Sequence, residues 1–422
     1  MAARLTQQVS DAFLPDPPKR LGVAVSGGGD SMALLHLMHG FCALHGCTLH
    51  AATVNHGLRD QAAAEASMVA DACAKLGVRH NTLFWDKWDG IGNLQSVARK
   101  ARYDLMTAWA EEHDLGTVAL GHTADDQAET FLMHLARRSG VNGLAGMKRR
   151  KLRDGITWVR PLLAASRQSL REYLEAAGVA WVEDASNQDM RFERIKARQV
   201  LGVLGDLGID SDTLSEVALN MTEARKALDW QTFLAARDMV EVDAGAVVIC
   251  DRKMRTLPDE IQRRLLIQAL GWISGGAYPP RRAALAELMR SLKKGMAATV
   301  DGCHARRVRG HIWIFRELNA VKDMQATPDT LWDQRWRLMP PEGSVPEGVD
   351  LKALTVRALG DEGLEQCPDW RSSGRPHAVL LSTPAVWEGD RVVAAPLAGL
   401  AQNWQAQVDG GEETFFAALL SH

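Results

Sequence analysis

The segment VAVSGGGDSM, residues 23–32, constrains this chain more than any other stretch of it. An apolar run of buried-strand composition, Val23, Ala24 and Val25, leads into Ser26 and the glycines Gly27, Gly28 and Gly29. The text that follows carries a helical period in Leu34, Leu35, Leu37, Met38 and Phe41, so the stretch predicts strand, tight loop and helix. Such a loop aims backbone N–H groups and the positive end of a helix dipole at one point, which suits an anion. The plainer alternative is a glycine-rich turn with Asp30 as a helix cap. Its position directly after the first apolar run favours the anion site.

Two common phosphate loops are excluded by spelling. A Walker loop ends in Gly-Lys-Ser/Thr, a tripeptide absent from this chain, and a dinucleotide fingerprint counted from Gly27 needs glycine at 32, where Met32 stands. What remains is Ser-Gly-Gly-x-Asp-Ser, formed by Ser26, Gly27, Gly28, Gly29, Asp30 and Ser31. This resembles the PP-loop of ATP pyrophosphatases, which split ATP into AMP and pyrophosphate. The resemblance implies that the glycine amides and the Ser26 and Ser31 hydroxyls cradle pyrophosphate, with Asp30 helping to hold Mg²⁺ against it.

Up to about residue 200, short apolar runs alternate with helical patterns: LGVAVS, TLHAATVNH, VRHNTLFW, GTVALGH and ITWVRPLL. That alternation predicts an α/β fold with a parallel sheet and a site at the carboxyl ends of its strands. From about 205 to 295 strand signals are absent and the text reads as helical, with Leu265, Leu266, Leu270, Leu285, Leu288, Met289 and Leu292 as core positions. A hairpin from AATVDG to RVRGHIWIFRE closes this part, and residues around 322–330 read as a linker. The expected domains are residues 1–204 for nucleotide binding and catalysis, 205–320 as a mainly helical part ending in the hairpin, and 328–422 as a small α+β unit.

Composition bears on partners and setting. The net charge of −3 hides a segregation: residues 137–198 hold 14 Lys/Arg against 7 Asp/Glu, and residues 251–310 hold 13 against 5. Each cluster by itself reads as a solvated face; two in one chain favour a polyanionic partner. The six cysteines form no CxxC pair, which points to reduced core thiols. The amino-terminal text has no apolar h-region and no apolar run is long enough for a bilayer, so the expected setting is the cytoplasm, away from membranes.

A second constellation, GHTADDQAET at 121–130, also follows an apolar run. Placed on a helix, His122, Asp125, Asp126 and Glu129 form one polar stripe, while Ala124, Ala128, Phe131 and Leu135 form the face that packs on the sheet. Capping by Thr123 explains one acid but not three beside a histidine. Crowded carboxylates repel unless a cation lies between them, so Mg²⁺ or an ammonium group is the natural guest.

The ordered set SGGGDS, VNHGLR (54–59), ARKARY (98–103), GHTADDQAET with FLMHLARRSGVNGLAGM, RPLL (160–163) and EDASN (183–187) resembles the tRNA(Ile)-lysidine synthetase family. WDQRW and PAVWEGDRVVAAP are similar to the carboxyl-terminal parts of its longer members. The resemblance implies ATP-dependent attachment of free L-lysine to the wobble cytidine of tRNA(Ile) with a CAU anticodon, releasing AMP and pyrophosphate. It implies catalytic roles for Asp30, Asp126, Glu129 and His122, with Asp126 and Glu129 holding the lysine amine, and Mg²⁺ on Asp30 and Asp125. Arg99, Arg102, Arg194, Arg198, Lys148, Arg149 and Arg150 are expected to meet lysine or tRNA. Ile195 stands where the family pattern carries an amide.

Three other classes compete. A PP-loop tRNA thiolase needs paired cysteines; a small-molecule amidating ligase has no use for two basic clusters. A nucleotide-binding module without catalysis has none for the carboxylate group.

Overall fold

The computed structural model describes residues 1–57, 62–85, 94–183, 193–276, 278–340 and 353–420. Two compact units divide the chain, Met1–Lys226 and a second from Ala227 onward. No described helix is long and apolar enough to cross a membrane.

The first unit is built on strands β1 (Arg20–Ala24), β2 (Thr48–Asn55), β3 (Arg79–Phe84), β4 (Thr117–Ala119), β5 (Arg150–Arg153) and β6 (Ile156–Val159), in the order β3-β2-β1-β4-β6-β5. All pairings are parallel except that of β5 with β6. The alternating runs of the sequence are therefore the parallel strands. The antiparallel β5 was not anticipated, because RKLR is exposed and charged at the sheet edge, where charge blocks further pairing.

The helices are α1 (Ala2–Phe13), α2 (Gly29–His45), α3 (Ala62–Leu76), α4 (Leu94–Glu112), α5 (Ala124–Ala136), α6 (Val141–Leu144), α7 (Arg167–Ala176), α8 (Glu193–Gly205) and α9 (Ser211–Met239). Helices α2 and α7 pack on one face of the sheet and α4 on the other, so strand side chains alternate between two cores. Leu21, Val23, Ala51 and Ala119 pack with Leu34, Leu35, Met38 and Phe41 of α2 and Leu170 and Leu174 of α7. Ala52, Val118 and Trp158 pack with Tyr103, Met106 and Trp109 of α4 on the other side. The chain turns to β2 on one side of β1 and to β4 on the other, so a crevice opens where the strand order reverses. Both polar motifs lie there.

The second unit departs from the helical expectation. Strands β7 (Val240–Asp243), β8 (Ala246–Cys250), β9 (Ala298–Val300), β10 (Cys303–Val308) and β11 (His311–Arg316) form an antiparallel sheet in the order β7-β8-β11-β10-β9. The hairpin of β9 to β11 was expected; β7 and β8 were not. Their turn, Ala244 and Gly245, has φ of 50° and 70°, and the alternation VEVD followed by VVI was the overlooked signal. The helices α10 (Asp251–Met254), α11 (Asp259–Ser274) and α12 (Arg282–Lys293) complete this part; Leu265, Leu266, Leu270, Leu285, Leu288 and Leu292 are buried, and Met289 is half-buried.

The rest of this unit holds a four-stranded sheet whose edge strand is Gln325–Ala326, paired with Thr355–Ala358, so the presumed linker is part of a sheet. Phe415 and Leu419 of the last helix enter the same core as Leu265 and Leu285, and Arg375 donates to Asp243 at 2.7 Å. Those contacts make one unit of two expected domains. The division at Lys226/Ala227 falls within α9 rather than at 204/205.

Candidate active site

The loop after β1 is braced from within. Gly27 sits at φ 85°, where a side chain is strained, and its carbonyl accepts from the Val182 N–H at 2.9 Å. The Ser31 hydroxyl donates to the Gly28 carbonyl at 2.9 Å, accepts from the Ser26 N–H at 3.0 Å and meets the Ser26 hydroxyl at 3.2 Å. Ser31 thus holds the shape of the cradle. Gly28 is the N-cap of α2, so Asp30 lies in the first turn and is not the cap. Burial raises the Asp30 pKa, against the lowering pull of Arg167.

The loop after β4 abuts that first turn. A Cβ on Gly121 would lie 3.1 Å from Ser31 Cα and 3.2 Å from the Asp30 carbonyl oxygen, which are backbone atoms with no room to yield. Gly121→Ala is expected to push the two loops apart and destabilise the protein by about 1–3 kcal/mol. Thermal unfolding of the variant checks this, and an unchanged midpoint would contradict the close approach.

Thr123 caps α5 with a reciprocal capping box. Its N–H and hydroxyl donate to Asp126 Oδ2 at 3.0 and 3.2 Å, and its hydroxyl accepts from the Asp126 N–H at 3.4 Å. This corrects the polar stripe: His122 precedes the helix. Leu135, expected in the packed face, is 51% exposed: it shares the face of Ala128 and Phe131 but lies outside the cluster that buries them. Glu129 is 1% exposed, and one of its oxygens, Oε2, is buried with no hydrogen-bond partner among the described residues; Asp30 Oδ1 is in the same state.

Asp125 turns elsewhere. Its Oδ2 accepts from the Arg167 N–H at 2.7 Å and its Oδ1 from the Ser211 hydroxyl at 3.4 Å, so the carboxylate expected beside Asp30 on a metal ties α5 to the starts of α7 and α9. No group of three or more potential metal ligands occurs among the described residues.

Arg167, which the sequence did not single out, joins the two loops. Its guanidinium reaches Asp30 Oδ2 at 3.2 Å, Asp126 Oδ1 at 3.5 Å and Glu129 Oε1 at 3.7 Å. Arg198 donates to Glu129 Oε1 at 2.9 Å, and Arg194 stands 3.8 Å from Asp126 Oδ1. In this state these two arginines, which share one face of α8, are turned to acids. Burial raises the Glu129 pKa, Asp126 raises it further, and Arg198 and Arg167 oppose the shift.

A cationic rim adjoins the acids. Arg102 donates to His56 Nε2 at 3.1 Å, and Arg99 lies 5.5 Å from the Tyr103 ring. His122 is pushed down to about 3, first by burial and then by the charges of Arg160, Arg194 and Arg99, against an upward pull from Asp126. It is therefore a neutral imidazole at physiological pH, and its Nδ1 has no hydrogen-bond partner among the described residues.

Of the remaining expected contacts, Arg149 and Arg150 are exposed, Arg149 donating to the Gln8 carbonyl at 3.1 Å, while Lys148 is half-buried. Arg160 of RPLL is buried and donates to the Lys148 carbonyl at 2.8 Å. In the second basic cluster Lys293 pairs with Asp259 at 2.8 Å, Arg307 with Asp251 at 2.8 Å and Arg263 with Glu260 at 2.6 Å, so part of its excess charge is neutralised locally. Residues 58–59 of VNHGLR, 184–187 of EDASN and 191–192 lie outside the described residues. Ile195 is buried, 8% exposed.

A parallel sheet with a braced glycine loop and a buried carboxylate group at its switch point defines a PP-loop enzyme, and the PP-loop domain model matches residues 1–204. The chain is 51% identical to a tRNA(Ile)-lysidine synthase of Ruegeria pomeroyi over 100% of its length and 99% of the relative's. Against the tRNA(Ile)-lysidine synthases of Wolbachia pipientis wMel and Anaplasma marginale the identities are 36% and 32%, over 75% and 89% of this chain and 76% and 85% of theirs. The chain belongs to the tRNA(Ile)-lysidine synthase family, and it is an ATP-dependent ligase.

Proposed function

We propose that the protein joins the side-chain amine of free L-lysine to C2 of the wobble cytidine of tRNA(Ile) with a CAU anticodon, in the cytoplasm. The observation that carries this is the convergence of the glycine cradle and the Asp126–Glu129 pair in one crevice, a place for a phosphate beside a place for an ammonium group. In the first step the cytosine C2 carbonyl oxygen attacks the α-phosphate of ATP, and pyrophosphate leaves toward residues 27–29 at the positive end of α2. In the second, the lysine ε-amine attacks C2 and AMP departs.

Each residue has a stated part. Asp126 and Glu129 orient the ε-ammonium, and Glu129, with its raised pKa and unpartnered oxygen, takes the proton the amine must lose. Neutral His122 presents a hydrogen-bonding nitrogen without adding charge. Arg99, Arg102 and Arg194 suit a phosphate or the lysine carboxylate. The unpartnered oxygen of Asp30 fits Mg²⁺, which needs only one or two protein carboxylates beside the phosphates it serves, and which when bound neutralises charge on the departing pyrophosphate. Asp125 serves as an anchor of the site. The exposed Arg149 and Arg150 supply phosphate contacts to tRNA, so binding weakens steeply with salt.

The test separates this chemistry from aminoacylation. Lysine and ATP without tRNA are expected to give no pyrophosphate exchange, because the base and not the amino acid is activated, and acids at the lysine site repel a carboxylate. With tRNA whose wobble base is cytidine, ATP and isotopic lysine, mass spectrometry should find the label on that base with its α-amine and carboxylate free. Lysine-dependent exchange without tRNA, or an alkali-labile ester at the 3′ end, overturns the proposal.

A further inference from the structure

Arg167 occupies a position that the reaction needs for something else. Among the described residues it is the one cation that touches both Asp30, on the phosphate side, and the Asp126–Glu129 pair, on the lysine side. Its backbone is pinned, since its N–H donates to Asp125 at the start of α7, but every ion pair of its guanidinium is made to a carboxylate at 3.2–3.7 Å, longer than a tight charge-assisted bond. The side chain is 22% exposed and so has an open side toward which it can turn. Two buried carboxylate oxygens, Asp30 Oδ1 and Glu129 Oε2, stay unpartnered beside it. The guanidinium compensates the charge of these acids and donates to Asp30 Oδ2 at 3.2 Å, but it reaches neither Asp30 Oδ1 nor Glu129 Oε2.

An ε-ammonium arriving here meets a cation already in place. An ATP triphosphate arriving in the cradle meets the same guanidinium across Asp30, as a partner. We propose that Arg167 is a positioning residue that sets the order of binding: it holds the acids neutralised and disfavours lysine until nucleotide phosphates draw its guanidinium away. The proposal rests on the assignment of the Asp126–Glu129 pair to lysine. It follows from charge alone. Three acids held by Arg167, Arg194 and Arg198 have no net call for a fourth cation, and adding the triphosphate's negative charge beside Asp30 restores one. It also has a chemical use, because an amine admitted only after nucleotide has bound is not placed ahead of the base to be activated.

The experiment is equilibrium binding of labelled lysine to the full chain, with and without the α,β-methylene analogue of ATP and magnesium, for the unaltered protein, Arg167→Gln and Arg167→Lys. Thermal unfolding of each variant confirms the fold. The unaltered protein should bind lysine about tenfold more tightly with the analogue, the scale of ordinary site-to-site coupling. Arg167→Gln should bind lysine about tenfold more tightly than the unaltered protein without nucleotide, and lose the dependence on the analogue, while turnover falls. Arg167→Lys, which keeps the charge, should retain the dependence. Equal lysine affinity with and without the analogue in the unaltered protein, or weaker lysine binding by a folded Arg167→Gln, overturns the role given to Arg167. Failure of the unaltered protein to bind lysine even with the analogue overturns the lysine site itself, and the role of Arg167 with it.

Discussion

Asp30→Ala is expected to abolish AMP formation while leaving the thermal midpoint nearly unchanged. Asp30 stands in the first turn of α2 with one oxygen on Arg167 and the other unpartnered, so its removal deletes no packed core group. Burial already disfavours its charged form, and loss of that charge relieves a desolvation cost as it removes the Arg167 pair. What disappears is the carboxylate in the first turn after the glycine loop. A single electrostatic contact of that kind typically contributes on the order of a hundredfold or more to rate. Assay of AMP release with tRNA and lysine present decides the matter, and near-normal release would remove Asp30 from the chemistry.

Glu129→Gln should have a comparable effect on lysidine formation with a different signature. The amide is isosteric with the acid but carries no charge for an ammonium group and accepts no proton from it. Product formation should fall by about a hundredfold or more. tRNA affinity should stay within about threefold, because phosphate contacts elsewhere supply it. Equal loss of both would mean that Glu129 supports the fold around Arg198 rather than the reaction. The pH profile gives a second readout. Because burial and Asp126 raise the Glu129 pKa, the acidic limb of turnover should lie above the ordinary glutamate range, with activity lost as pH falls through it. Arg198→Met removes a lowering influence and should move that limb to still higher pH; Glu129→Gln should lack it.

Much of the catalytic unit was legible in the sequence because its signals are local. The five apolar runs became parallel strands, and the two polar motifs followed β1 and β4, since a buried strand needs a continuous apolar run and a phosphate loop needs consecutive glycines. The strand pair β7–β8 was missed although its turn and β-branched run were present, because the surrounding helical period dominated the text. Its partner β11 lies some sixty residues away, beyond any window of periodicity.

Side-chain roles were less legible. His122, Asp125, Asp126 and Glu129 were placed on one helical stripe, but a helical wheel assumes that the helix includes them all. The Thr123 cap starts α5 after His122, and the N–H of Arg167 and the hydroxyl of Ser211 claim Asp125. Arg194 and Arg198 read as a basic face for tRNA, yet they meet Asp126 and Glu129. Nothing near Arg167 marks it as special, since SRQSLREY is an ordinary capped helix start.

By itself, then, the sequence determined the parallel α/β class, through alternating runs over about two hundred residues, and the phosphate loop and the group of acids, each written within about ten adjacent residues. Only the tertiary structure decided which acids keep an oxygen without a partner among the described residues, which arginine stands between Asp30 and the Asp126–Glu129 pair, and that Phe415 and Leu419 close a core begun at Leu265. Those outcomes depend on contacts between segments tens to more than a hundred residues apart. They are settled by burial and charge compensation, which no local pattern records.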